Sequence, residues 1–151
     1  MARVIFAIDD DPLMLEVLAA ILLPPTYHTV SARDGQGALD TVFRIPPDLV
    51  LLDLELPDCP GMSVLESLRR RPGWSKVPIV MLTANNAIEP ILKARSLGAR
   101  GYLCKPIAPA EFGGVIRDLL AEPDVVWLDD ITRLRTVRGS DYAGLSHPHS
   151  G

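Results

Sequence analysis

The chain has 151 residues, 48 % of them apolar and 23 % charged, with a net charge of -4. That length suits one ordinary domain with a short extension, and the apolar fraction excludes disorder throughout. The acidic balance argues against direct nucleic-acid binding, while the lack of a signal-peptide pattern or of an apolar run near the roughly 20 residues of a membrane span places the chain in the cytoplasm.

Strand-like and helix-like stretches then alternate. Residues 3–9 are a continuous apolar run ending in Asp9-Asp10, the pattern of a strand buried on both faces. Pro12 opens a helix over Leu13–Leu23, where its missing N–H costs little, and Pro24-Pro25 stops it. Tyr27–Ala32 alternates as an edge strand, and Gly37–Arg44 supplies a short second helix. Pro46-Pro47 leads into a central strand, Asp48-Leu-Val-Leu-Leu-Asp53, and Ser63–Arg70 forms the third helix with Leu65 and Leu68 on one face. The run from Val77 to Thr83 is the fourth strand. The fourth helix begins near Ala87, because Pro90 must sit in its first turn to avoid a cost of about 3 kcal/mol, and Gly98 stops it. Gly101–Lys105 is the fifth strand, and the fifth helix, Pro109–Leu120, is weakened by Gly113-Gly114. Five βα units in this order predict an α/β, flavodoxin-like, doubly wound parallel sheet of strand order 2-1-3-4-5 with helices on both faces.

Such a sheet brings its strand ends to one edge, where open α/β folds bind ligands. Asp9 and Asp10, Asp53, Thr83 and Lys105 all fall at those ends. A carboxylate that attacks a phosphoryl group meets like-charge repulsion, which a divalent cation bridging the two relieves. Magnesium, or manganese in its place, prefers oxygen ligands, and Asp10 and Asp53 can supply them directly. Asp9 can orient a coordinated water, and the main-chain carbonyl of Glu55 can complete the set. Lys105 offers a cation to a phosphoryl oxygen and Thr83 a hydroxyl donor. Taken singly, each residue has a plainer reading. Asp53 could be a turn residue, Asp9-Asp10-Asp11 a helix cap (Asp11 in particular), Thr83 another cap and Lys105 a solvated charge. Together these readings require four polar strand ends at compatible positions by coincidence.

The acidic pair Asp9-Asp10, the run Asp53…Pro57…Gly61, Thr83-Ala84, Gly98-Ala99, Tyr102 and Lys105-Pro106 closely resemble the receiver domain of bacterial two-component response regulators. The resemblance covers about residues 3–121, leaving 122–151 as a C-terminal extension without a domain of its own. It implies that Asp53 is the phosphoacceptor, that Asp10 is the direct metal ligand, and that the Lys105–Pro106 bond is cis. Glu55 falls at a position that tunes dephosphorylation in the family. An acidic side chain there can repel phosphoryl oxygens or reach the metal. Thr83 and Tyr102 are then the switch pair, since an aromatic ring can turn into space that Thr83 vacates. Tyr102 also reads simply as a half-buried residue packed at the sheet edge.

The implied partners are a sensor histidine kinase or a phosphotransfer protein as donor. The implied readout is a downstream protein or self-association, through the face formed by the fourth helix, fifth strand and fifth helix. The implied activity is self-phosphorylation and autodephosphorylation only, not an enzyme acting on other substrates. Trp127, Ile131 and Leu134 in the extension can pack on the same chain or meet a second subunit. His147 and His149 could bind metal or do nothing. Asp129-Asp-Ile-Thr-Arg-Leu134 resembles the opening of a diguanylate cyclase domain, so the chain can also be read as a receiver cut from a longer regulator. A phosphatase of the haloacid dehalogenase type would share the strand-end aspartate and magnesium. That family wants a second aspartate two residues after the nucleophile, where Glu55 stands, and a later acidic pair, which here comes first. Cys59 and Cys104 lack zinc or redox spacing and read as free thiols.

Overall fold

Five apolar runs form five parallel strands: β1 (Arg3–Ile8), β2 (Tyr27–Ala32), β3 (Leu49–Asp53), β4 (Ile79–Thr83) and β5 (Gly101–Cys104), hydrogen-bonded in the order β2-β1-β3-β4-β5. The computed structural model describes residues 1–84 and 87–121. The readings placed on residues 122–151 lie outside the described residues. In register, Ile8 faces Leu52, Asp53 faces Leu82 and Thr83 faces Cys104, so the ends of β1, β3, β4 and β5 lie side by side at one edge. β2 is an edge strand and is only partly buried, as its alternating sequence predicts.

The two faces of the sheet bury separate apolar clusters, because successive side chains of a strand point to opposite sides. Ile5, Ala7, Leu51, Leu82 and Leu103 pack with Met14 and Leu18 of helix α1 (Pro12–Ile21) and with Phe112, Val115 and Leu119 of helix α5 (Pro109–Ala121). Phe6, Ile8, Leu52 and Met81 pack on the other side, with Ala38 of α2 (Gly35–Asp40), Leu65 and Leu68 of α3 (Gly61–Arg69) and Ala94 of α4 (Ile88–Ser96). Trp74 joins this second cluster, edge-on to Phe43 and under the Arg71 guanidinium.

Local chemistry sets the helix ends, and it departs from the sequence reading at several of them. Asp11 caps α1 by accepting from the Leu13 N–H at 3.0 Å, with Pro12 in the first turn. That helix ends at Ile21, two residues earlier than expected. Helix α2 begins at Gly35 and stops at Asp40 instead of spanning Gly37–Arg44. Asp34 accepts from Gly37 N–H at 2.6 Å, and Asp58, from a distant loop, accepts from Gly35 and Gln36 N–H at 2.8 and 2.9 Å. Three N-terminal donors are thereby satisfied two residues upstream of the expected start. Thr41 then turns to an extended conformation and ends the helix. Helix α3 starts at Gly61, two residues before Ser63. Helix α4 holds Pro90 in its first turn, and Gly98 follows it at φ +103°. Helix α5 is continuous through Gly113 and Gly114, with Gly114 buried and Gly113 facing Ile21 of α1.

Arg69 ties the site's supporting loops together. Its guanidinium donates to the carbonyls of Trp74, Ser75 and Val77 before β4 and of Gly98 after α4.

Candidate functional site

Five of the predicted site residues reach the same edge by their place in the sheet. Asp9 and Asp10 follow β1, Asp53 closes β3, Thr83 closes β4 and Lys105 follows β5. Asp9, Asp10 and Asp53 offer carboxylate oxygens that all lie within 4.8 Å of one another. Asp9 is fully buried, Asp53 and Thr83 are nearly so, and Asp10 is exposed. Lys105 Nζ lies 2.8 Å from Asp9 Oδ2 and 3.2 Å from Asp53 Oδ2, so one ammonium bridges two carboxylates. The other oxygens are held by the main chain. Asp9 Oδ1 accepts from Asp11 N–H and Asp53 Oδ1 from Glu55 N–H, each at 3.0 Å.

Burial pushes the Asp53 carboxyl up from its ordinary value, and nearby Asp9 adds to the rise. The Glu55 N–H and the Lys105 charge pull it back only in part. For Lys105, burial acts to lower the value, but contact with Asp9 and the charges of both aspartates outweigh it and hold the ammonium above its usual range. Asp9 Oδ2 is buried and accepts no well-directed hydrogen bond, its contact with Lys105 being an ion pair. A buried carboxylate oxygen with spare lone pairs, beside an exposed Asp10 open to water, fits a hard cation that keeps part of its hydration shell.

The backbone links the cluster to its neighbours. Lys105 N–H donates to the Thr83 carbonyl at 2.8 Å, and the Lys105–Pro106 peptide bond is cis. Tyr102 is half-buried and packs on the cluster beneath α2, α3 and α4, opposite Met81 in register. Gly61 sits against the turn that follows Asp53, its N–H donating to the Leu54 carbonyl at 2.8 Å. Sequence reasoning assigned Lys105 to a phosphoryl oxygen and missed its pairing with the buried Asp9. It also missed the Glu55 N–H on Asp53. An apolar run immediately before Asp9 was the available signal for the first, since a carboxylate that deep needs a cation. Cys59 and Cys104 are free thiols.

A parallel sheet of this order, with carboxylates ending its two central strands and a lysine after the last, defines the class of phospho-accepting signalling domains. Residues 5–117 match the family model described as the response regulator receiver domain, and the chain belongs to that family. The transcriptional regulatory protein KdpE of Mycobacterium tuberculosis is 38 % identical over 108 residues, which cover 72 % of this chain and 46 % of that protein. The DNA-binding response regulator MtrA of Mycolicibacterium smegmatis is 39 % identical over 117 residues, covering 78 % and 50 %. The chain thus spans about half the length of the curated relatives it matches. Among solved structures, a CheY-like receiver domain protein from Methanospirillum hungatei superposes with a TM-score of 0.73 at 26 % identity, over 82 % of this chain and 98 % of that one. A response regulator from Chloroflexus aurantiacus gives 0.71 at 30 % identity, over 80 % and 99 %. Receiver domains are signalling domains of two-component systems, and the phosphatase reading is set aside. Among the described residues, no helix is long and apolar enough to cross a membrane.

Proposed function

We propose that this chain is a phosphorylation-dependent switch whose phosphoacceptor is Asp53, charged by a sensor histidine kinase or a phosphotransfer protein in the cytoplasm. The observation that carries the reading is the bridging of buried Asp9 and Asp53 by Lys105, within a cluster of three carboxylates. A carboxylate oxygen of Asp53 bonds to phosphorus as the P–N bond of the donor phosphohistidine breaks. The bonding pair returns to the imidazole, which solvent then protonates. Reset needs only water. It adds to phosphorus, the P–O bond to Asp53 breaks, and free carboxylate, inorganic phosphate and a proton result.

Asp10 and Asp53 would hold a magnesium or manganese ion directly, Asp9 through a water, with the Glu55 carbonyl completing the set. When bound, that ion supplies the positive charge that offsets repulsion between the carboxylate and the phosphoryl oxygens. Lys105 exchanges its contact with Asp53 for one to a phosphoryl oxygen, and the Thr83 hydroxyl donates to another. Motion of Thr83 opens space for Tyr102, so modification at Asp53 biases the face formed by α4, β5 and α5 toward a protein partner or a second copy. That face, not DNA, is the readout of the receiver itself. A second reading, in which the same switch governs an attached output domain, is favoured by longer relatives, matched over about half their length, that are described as transcriptional and DNA-binding regulators.

The test is treatment with acetyl phosphate, or with beryllofluoride plus magnesium, of the chain and of Asp53→Asn. One phosphate per chain on the parent and none on the variant is expected, with amide shifts reaching Tyr102. Equal modification of both proteins, or shifts confined to α2 and α3, would overturn the reading.

A further inference from the structure

Helix α2 has six residues, two of them glycine, and is too short to hold its own shape in water. Side chains from both flanks of α3 grip its two ends. At the N-terminus the Asp58 carboxylate uses both oxygens, Oδ1 accepting from Gly35 N–H at 2.8 Å and Oδ2 from Gln36 N–H at 2.9 Å. At the C-terminus the Arg71 guanidinium donates to the carbonyls of Leu39 and Thr41, and it lies over the ring of the buried Trp74.

Asp58 also belongs to the loop 54–60, which runs from Asp53 to α3 and folds back on itself. Glu55 bridges Pro60, and Gly61 N–H donates to the Leu54 carbonyl at 2.8 Å. At the base of the loop, Glu55 N–H donates to Asp53 Oδ1 at 3.0 Å. Pro57 and Pro60 fix φ at two positions, so a movement of Glu55 carries to Asp58 instead of being absorbed between them. Cys59 closes the contact on the helix side. Gly35 is buried against it, and a Cβ at position 35 would overlap the Cys59 Sγ. One continuous path of contacts therefore runs from Asp53 through Glu55 and Asp58 to α2.

We propose that Asp58 is a positioning residue for the aspartate cluster: its hold on α2 keeps the loop in the form that offers Asp53 and the Glu55 carbonyl to a divalent cation. The inference rests on the reading that Asp9, Asp10 and Asp53 bind such an ion. Linkage makes the effect reciprocal, so an ion that favours this form of the loop tightens the N-terminus of α2 to the same degree. Helix α2 thereby reports on the site from a part of the surface that α4, β5 and α5 do not form.

Amide resonances of the intact protein, followed through a magnesium titration, provide the test. In the parent, Gly35 and Gln36 should move with the same midpoint as Glu55 and Lys105. Asp58→Asn offers one carbonyl oxygen where two carboxylate oxygens are used. It should raise the magnesium Kd roughly fivefold or more, and at least one of the two α2 amides should no longer follow Glu55. Asp34→Asn removes the same charge from the same helix end, where Asp34 accepts from Gly37 N–H, but leaves the loop alone. Its Kd should stay within about twofold of the parent's, since an exposed charge is largely screened. Gly35→Ala should weaken binding as Asp58→Asn does with no charge altered, and adding Cys59→Ala should restore it. Equal affinity in the parent, Asp58→Asn and Gly35→Ala overturns the proposal and leaves the cation site standing. Equal loss in Asp58→Asn and Asp34→Asn also overturns it, in favour of a general charge effect. A parent with no magnesium-dependent shift at Glu55 or Lys105 overturns the cation reading itself, and the proposal with it.

Discussion

A methyl group at position 61 would lie 2.1 Å from the carbonyl oxygen of Asp53 and 2.9 Å from Cα of Leu54. The obstacle is backbone, which cannot rotate away as a side chain can. Gly61 therefore fixes how closely α3 approaches the turn that carries Asp53. Gly61→Ala should cost about 1–3 kcal/mol, the usual penalty of overpacking, and should slow phosphate incorporation by displacing the Glu55 N–H from Asp53. Urea unfolding and acetyl phosphate labelling of the same variant read the two effects. Unchanged stability and labelling would show that α3 can shift freely.

Lys105 and Asp10 should separate under mutation. Lys105→Met leaves the buried Asp9 carboxylate without its cation and should destabilise the protein by roughly 3 kcal/mol in the absence of divalent ions. Magnesium should recover part of that loss, because it binds the folded state and supplies the missing charge. Asp10→Ala, at an exposed position, should alter stability by no more than about 0.5 kcal/mol while weakening magnesium binding. Unfolding curves with and without magnesium decide the matter. Loss of metal affinity in Lys105→Met alone would reverse these roles.

Asp58 gives the fold a dependence on acid. The N–H groups of Gly35 and Gln36 hold its carboxyl below the usual carboxylate range. A group whose folded value is depressed contributes stability that is complete above its unfolded value, about 3.9 for aspartate, and is lost as pH falls through the folded value. Asp58→Asn should lower the melting temperature at neutral pH and flatten its decline below about pH 4. Thermal unfolding across that range provides the measurement, and parallel curves for parent and variant would contradict the linkage.

Gly113 offers an opposite change. A Cβ there would meet Ile21 Cγ2 at 3.7 Å, an ordinary van der Waals distance. Gly113→Ala should therefore stabilise helix α5 by about 0.5–1 kcal/mol, through a smaller backbone entropy loss and added contact with α1. A higher urea midpoint with unchanged slope is the expected result. A lower midpoint would mean that α1 and α5 already pack as tightly as they can.

The sheet was legible because its signal is local. The runs before Asp9, Asp53 and Thr83 are apolar without interruption, and only strands buried on both faces tolerate that. The convergence of Asp9, Asp10, Asp53, Thr83 and Lys105 on one edge was legible for the same reason, since parallel strands must align their ends. What escaped was supplied from far along the chain. The early start of α2 depends on Asp58, more than twenty residues downstream of the N–H groups it accepts. The anchoring of the loops around β4 depends on Arg69, which reads in sequence as an ordinary basic residue at the end of a helix. The pairing of Lys105 with Asp9 joins the two ends of the domain. No window short enough to show periodicity contains both.

That pairing also sets the charge that a bound cation would have to offset. Three carboxyl groups counted at full charge against one ammonium leave a formal excess of two negative charges in a partly buried space. A single divalent cation would bring the cluster to electroneutrality, whereas a monovalent ion would leave it anionic. On the proposed function, a phosphoryl group arriving at Asp53 would restore negative charge to a centre the cation had balanced, and that excess charge would favour whichever conformation brings further donors to it.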